Sequence, residues 1–310
     1  MYKKYYGLAQ NPFELSPDPY FYFPSPRHNE ALATLTYGIL NRKGFVVVTG
    51  EVGTGKTLLV RCLLDTLTRN RVAFAFVYNP LLSVRDFLSH VLTDFGLANK
   101  EGSKSDLLTR LNSFVMVRSW RDGTTALIVD EAQLLSWELL EEIRLLTNLE
   151  TTQHKLLQIV LVGQPELDEK LDSQELRQLK QRIGMRCRLE PLNIEELRGY
   201  IDRRLELAGA RFPISTLFPS NTISAIHRHS NGIPRLINTL CENALIAGYG
   251  RQLQVITPDI IDEIARDMRL GVVSGPTQGF HETKKRKIVV KALSSMIDDL
   301  GGPERTSKAD

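Results

Sequence analysis

The chain has 310 residues, of which 42% are hydrophobic and 24% charged, with a formal net charge of +3. These are ordinary proportions for a soluble globular protein with one large domain or two modest ones, and so small a charge does not by itself point to a nucleic-acid partner. Three widely spaced cysteines without a CxxC pair, and six histidines without a ligand cluster, argue against a disulfide frame or a zinc site and fit a reducing compartment.

The opening MYKKYYGLAQNPFEL lacks the apolar core of a signal peptide. No apolar run approaches the ~18–20 residues that span a bilayer, so no membrane span and a cytoplasmic location are expected. Residues 1–24 are rich in aromatics and proline (YYGLAQNPFELSPDPYFYFP), which forbids a long helix and predicts an ordered arm packed on the core. Ser25 and Pro26 have the form of a helix cap and first helical residue; Leu32, Leu35 and Ile39 recur at helical spacing, and Gly44 ends the helix.

Strand and helix then alternate. Continuous apolar runs at 45–49, 71–78, 126–130 and 156–162 predict strands buried on both faces, and helical patterns fall at 56–69, 83–95, 105–118 and 136–148. That alternation predicts an α/β fold with a parallel sheet flanked by helices over 25–192. After about residue 192 strand signals vanish. Asn193 and Glu196 have capping-box spacing; helical patterns run to about 208, over 220–230 and over 235–247, and Thr257–Pro258 opens a last one. This predicts a small all-helical lid domain over 193–270. From 271 the pattern frays into an expected flexible tail, with one short amphipathic piece near 288–300 and a basic KKRK run at 284–287.

The chemistry is concentrated in TGEVGTGKTL, residues 49–58. Gly50, Gly55, Lys56 and Thr57 form GxxxxGK[ST] between a predicted strand and a predicted helix, the setting that makes a P-loop. Backbone N–H groups of such a turn cradle phosphate oxygens, and a side chain at Gly53 or Gly55 obstructs the wrap. The run Gly50, Glu51, Val52, Gly53, Thr54, Gly55, Lys56, Thr57 and Leu58 is therefore the expected nucleotide-binding segment, with Lys56 on the outer phosphates and the Thr57 hydroxyl on Mg2+.

Downstream, ALIVDEAQ ends a strand with two acids. Asp130 is the expected second metal residue, and Glu131 the expected base that orients and deprotonates an attacking water. A guanine reader of the form NKxD is not present: the nearest string, NKEG at 99–102, has Gly102 where Asp is needed, so the nucleotide is read as ATP. Gln164 in LVGQPEL sits at a strand tip expected beside that of Asp130, where its amide can bond the water or the γ-phosphate. Arg235 in NGIPRLIN starts a helix of the second domain and can reach back to the phosphates. Arg182 in RQLKQRIG, with Arg177 as the competing choice, falls near an edge from which an arginine can complete a neighbouring subunit's site.

These strings, together with HNEALATLTYGI and LKQRI, resemble the AAA+ ATPases, and within them the general secretion pathway protein A (ExeA-type) group, over about residues 1–270. The P-loop and the strand-ending acids (Walker A and Walker B) occur in many ATPases, whereas the NPF…PDP arm and GQPEL are more selective. The resemblance implies Gln164 as sensor 1, Arg182 as an arginine finger acting in trans, Arg235 as sensor 2, and an arm from about Asn11 to Asn29 that helps enclose the adenine. It also implies a homo-oligomer, ring or filament, that forms on ATP. Members of the group often continue into a membrane span and a peptidoglycan-binding module, and neither pattern occurs in these 310 residues. Two functions are compatible with one active site: an ATPase motor or switch acting on a protein partner, and an ATP-dependent regulator that assembles on duplex DNA.

Overall fold

The structure, a computed structural model, describes residues 1–97, 102–210 and 214–270; the expected tail, with its amphipathic piece and KKRK run, lies outside the described residues. Five parallel strands form one sheet: Phe45–Gly50 (β1), Ala73–Val77 (β2), Thr125–Val129 (β3), Gln158–Gly163 (β4) and Met185–Leu189 (β5), in the order β2-β3-β4-β1-β5. Successive side chains of a strand point to opposite faces. Val46, Val48, Ala126, Ile128, Val160 and Val162 accordingly build one core, and Val47, Leu127, Val129, Ile159 and Leu161 build another.

The helices sort onto those faces. After a single turn at Tyr2–Tyr5 (α1), Pro26–Leu40 (α2) and Lys56–Arg69 (α3) cover the first face through Leu35, Ile39, Leu59 and Leu63. Val84–Asp94 (α4), Lys104–Trp120 (α5) and Trp137–Leu146 (α6) cover the second, with the short helices Pro165–Leu171 (α7) and Arg177–Lys180 (α8). The P-loop fold expected from the alternation is thereby present, with every strand's C-terminal tip at one end of the sheet.

Among the elements not legible in the sequence are β5 and α7. β5 reads Met-Arg-Cys-Arg-Leu, with Arg186 and Arg188 exposed, because it is an edge strand with one wet side. A search for continuous apolar runs passes over it. α7 was hidden because Pro165 reads as a turn, although proline at the first helical position leaves the ladder intact.

Beyond the sheet, Ile194–Leu207 (α9), Ile214–Leu217 (α10), Ser220–Ser230 (α11), Pro234–Gly250 (α12) and Pro258–Asp267 (α13) share a separate apolar cluster. α9 starts with the expected capping box: the Asn193 side chain accepts from Glu196 N–H and Glu196 accepts from Asn193 N–H, both at 2.9 Å. The arm runs mainly over this helical region. Tyr6, Leu8 and Phe13 are buried in its cluster, and the Ala9 N–H donates to the Ala208 carbonyl at 2.8 Å. Tyr2, Tyr5 and Phe23 also pack against that cluster, whereas Tyr22 packs against the core on the α2–α3 face of the sheet.

Candidate active site

β1 ends at Gly50 and the chain must reverse to start α3 at Lys56. The reversal places Gly53 at φ +81° and Gly55 at φ +100°, where L side chains are strained. The space is closed as well: a Cβ on Gly53 would lie 2.8 Å from Arg235 Cβ, and one on Gly55 3.2 Å from His28 Nε2. The first N–H groups of α3 have no partner within the helix and face this turn. Thr54 Oγ1 donates to the Glu51 carbonyl at 2.8 Å and tightens the loop.

Lys56 is buried, and its Nζ donates to the carbonyls of Gly50 (2.7 Å) and Glu51 (2.9 Å). Burial pulls this ammonium below its ordinary range, while the carboxylates of Glu131 and Asp130 pull the other way. Thr57 Oγ1 donates to Asp130 Oδ2 at 3.2 Å, so a hydroxyl and a carboxylate from α3 and the tip of β3 share one spot. Burial raises the Asp130 carboxyl, and the Glu131 N–H bonded to Oδ1 at 2.9 Å opposes the rise. This pair of hard oxygen donors suits Mg2+, and the glycine cradle suits phosphate.

Glu131 follows at φ +51°, a rare backbone for a residue other than glycine. Its Oε2 accepts from Gln133 Nε2 at 2.6 Å and from Gln164 Nε2 at 3.2 Å. β4 lies beside β3, which is why Gln164, one residue past β4, meets Glu131. From the other side Arg235 closes in, its N–H donating to the Gly53 carbonyl at 3.1 Å. A cavity of about 300 Å³ results, lined by Lys56, Thr57, Glu131, Gln164 and Arg235, by Val52 of the loop and Leu58 of α3, and by Glu14 to Pro17 of the arm.

Arg182 is not part of this assembly. It lies just after α8, at the N-terminal end of β5, and its Nη1 donates to Thr147 Oγ1 at 2.7 Å in a groove that also holds Lys43, Glu150 and Lys155. It is thus at the opposite end of the sheet from the P-loop. Arg177, the competing choice, is exposed at the start of α8.

Three residues at the site carried no sequence signal strong enough to single them out. His28 of α2 is buried behind the loop, with Nε2 2.8 Å from the Thr54 carbonyl and Nδ1 2.7 Å from Ser25 Oγ. Arg204 of α9 is buried, sits 5.0 Å from the rings of both Phe21 and Tyr200, and donates to the Pro12 carbonyl at 2.7 Å. Gln133 is the third; only its place two residues after Glu131 hinted at it.

Residues 39–171 match the family model described as an AAA domain. Over 252 residues, 81% of this chain, the sequence is 44% identical to the general secretion pathway protein A of Aeromonas hydrophila. The match covers 45% of that relative, so the chain spans about half the length of the curated protein it resembles. Among solved structures, Cdc6p of Pyrobaculum aerophilum superposes with a TM-score of 0.63 at 17% identity, covering 86% of this chain and 73% of that one. The Drosophila ORC bound to DNA gives a TM-score of 0.61 at 17% identity, covering 94% and 74%. Likeness at such identities is likeness of fold. Among the described residues no helix is long and apolar enough to cross a membrane.

Proposed function

The chain belongs to the AAA+ P-loop proteins of the general secretion pathway protein A group, and we propose from that premise that it binds and hydrolyses ATP, assembles on ATP, and works as a motor or switch on a protein partner. One observation carries the reading: Lys56 and Thr57, Glu131, Gln164 and Arg235 come from four separate segments and converge on one cavity, with Asp130 bonded to Thr57 at its edge. An acid held by two amides at a strand tip, facing a phosphate cradle, suits hydrolysis better than mere retention of nucleotide.

In this reading the P-loop amides and Lys56 take the outer phosphates, Lys56 exchanging its two carbonyl partners for phosphate oxygens. Mg2+, when bound, neutralises phosphate charge and is held by Thr57 and Asp130. Glu131 accepts a proton from water as the water oxygen bonds to the γ-phosphorus; the bond to the β–γ bridging oxygen breaks and ADP leaves with that electron pair. Gln164 and Arg235 hold the γ-phosphate end from two sides, as sensors 1 and 2. α9 to α13 act as a lid over 193–270, and the arm and following helix from about Asn11 to Asn29 help enclose the adenine. Arg182 acts on a neighbour's site within a ring or filament.

A protein partner is favoured because the relative matched at 44% identity is a secretion-pathway protein. Duplex DNA is the second reading, favoured by the fold shared with an ORC bound to DNA. Steady-state ATP turnover with and without duplex DNA, at 50 and 200 mM salt, separates the two. The protein-partner reading expects basal turnover, lost in Lys56→Ala, that DNA leaves within about twofold. Stimulation by DNA that vanishes at the higher salt, as counterion release demands, transfers the function to the second reading. Turnover equal in Lys56→Ala and the parent removes the ATPase reading altogether.

A further inference from the structure

We propose that Gln133 is a positioning residue that sets the orientation of Glu131 and locks the tip of β3 to the tip of β4; the inference rests on Glu131 being the base. The side chain uses both ends of its amide. Nε2 donates to Glu131 Oε2 at 2.6 Å, and Oε1 accepts the backbone N–H of Gln164 at 3.1 Å. Gln164 Nε2 donates to the same Glu131 Oε2 at 3.2 Å. Glu131, Gln133 and Gln164 thus close a ring of three hydrogen bonds across two adjacent strands. With both donors on Oε2, Oε1 of Glu131 is left as the oxygen that can take a proton.

The surroundings hold Gln133 to this task. A Cβ on Gly163 would approach its Oε1 to 2.9 Å, so the last residue of β4 leaves just the room the amide needs. Lys170 of α7 donates to the Gln133 carbonyl at 3.2 Å and the Leu135 carbonyl at 2.6 Å, with its Nζ 5.5 Å from the centre of the Trp137 ring. These bonds fasten the short 3-10 turn Ala132–Leu134 that carries Gln133. Gln133 does not line the cavity itself and stands behind the acid. A group in that place acts by orientation, and misplacing a reacting group by about 1 Å can cost about 10²-fold in rate.

The test compares Gln133→Met, which retains bulk without hydrogen bonds, and Gln133→Glu, which can still accept from Gln164 N–H but cannot donate to Glu131 when ionised. Single-turnover hydrolysis is measured in the parent and in Glu131→Gln, ATP affinity by calorimetry, and amide exchange at Gln164 in nucleotide-free protein. Both variants should lose about 10–100-fold in turnover with ATP affinity within about threefold, and neither should lose more in the Glu131→Gln background. Exchange at Gln164 should quicken in Gln133→Met and stay slow in Gln133→Glu. Equal losses in both backgrounds, unchanged turnover, or unchanged exchange in Gln133→Met overturns the proposal while Glu131 remains the base. Normal turnover in Glu131→Gln alone removes the base assignment instead.

Discussion

The two ends of the sheet are built on opposite terms. At the C-terminal tips, β1, β3 and β4 deliver Lys56, Glu131 and Gln164 to one cavity, with Asp130 bonded to Thr57 beside it, and each polar group has a partner close by. At the N-terminal end Lys43, Lys155 and Arg182 gather around a surface groove with Glu150. β1 runs six residues between these ends, about 16–17 Å at ~3.3 Å per step. An arginine side chain does not reach across that gap. The contrast teaches that Arg182 is out of reach of its own P-loop, so that in the proposed reading it serves a phosphate only if another copy brings its strand tips to it.

The largest expected effect tests that division directly. Arg182→Ala should bind ATP normally and lose about 10³-fold or more in turnover, the scale on which an arginine stabilises transition-state charge. Parent turnover per subunit should rise with protein concentration until the oligomer forms. A mixture of Arg182→Ala and Glu131→Gln should regain activity, since one partner supplies the finger and the other an intact site. Constant specific activity with no rescue in the mixture would return the function to a single chain and turn attention to Arg177.

Next in size is the phosphate end itself. Glu131→Gln keeps the shape and removes the base, so turnover should fall by about 10²–10⁴-fold while ATP affinity stays within a few-fold. Calorimetry beside single-turnover kinetics reads both. Equal falls in affinity and rate would mean that Glu131 helps hold the nucleotide.

The smallest effect concerns the brace behind the P-loop. Burial holds the His28 imidazole below its ordinary range; the Thr54 carbonyl and the charge of Glu196 oppose this only in part. The unfolded chain therefore takes that proton more readily than the folded one. Stability from His28 is present above the ordinary histidine value of about 6.5 and is lost as pH falls below it, by at most about 1.4 kcal/mol per pH unit. Thermal midpoints from pH 7.5 to 5.5 should fall less steeply in His28→Gln than in the parent. Parallel curves would show that His28 is not the titrating group.

Much of this was legible in the residues alone, because much of it is local. Glycines next to a lysine and a threonine after an apolar strand have one good physical use, and an apolar strand ending in two acids has few. The caps at Ser25 and Asn193 are set by bonds spanning three residues, and both helices start where those strings said. What stayed hidden depends on distance along the chain. Arg204 meets Pro12 across 192 residues, whereas the meeting of Gln164 with Glu131 across 33 was expected only as far as two neighbouring strand tips. The sheet order that pairs those tips, and that leaves β5 at an edge with its arginines exposed, is a property of the packed whole. The sequence determined which chemistry the chain carries, because turn, cap and strand-end preferences act over a few residues. Only the tertiary structure decided that Gln133 stands behind Glu131, that the arm lies on the helical region, and that Arg182 lies at the opposite end of the sheet from the P-loop. Each of these follows from which buried surfaces meet, and residue order alone does not state that.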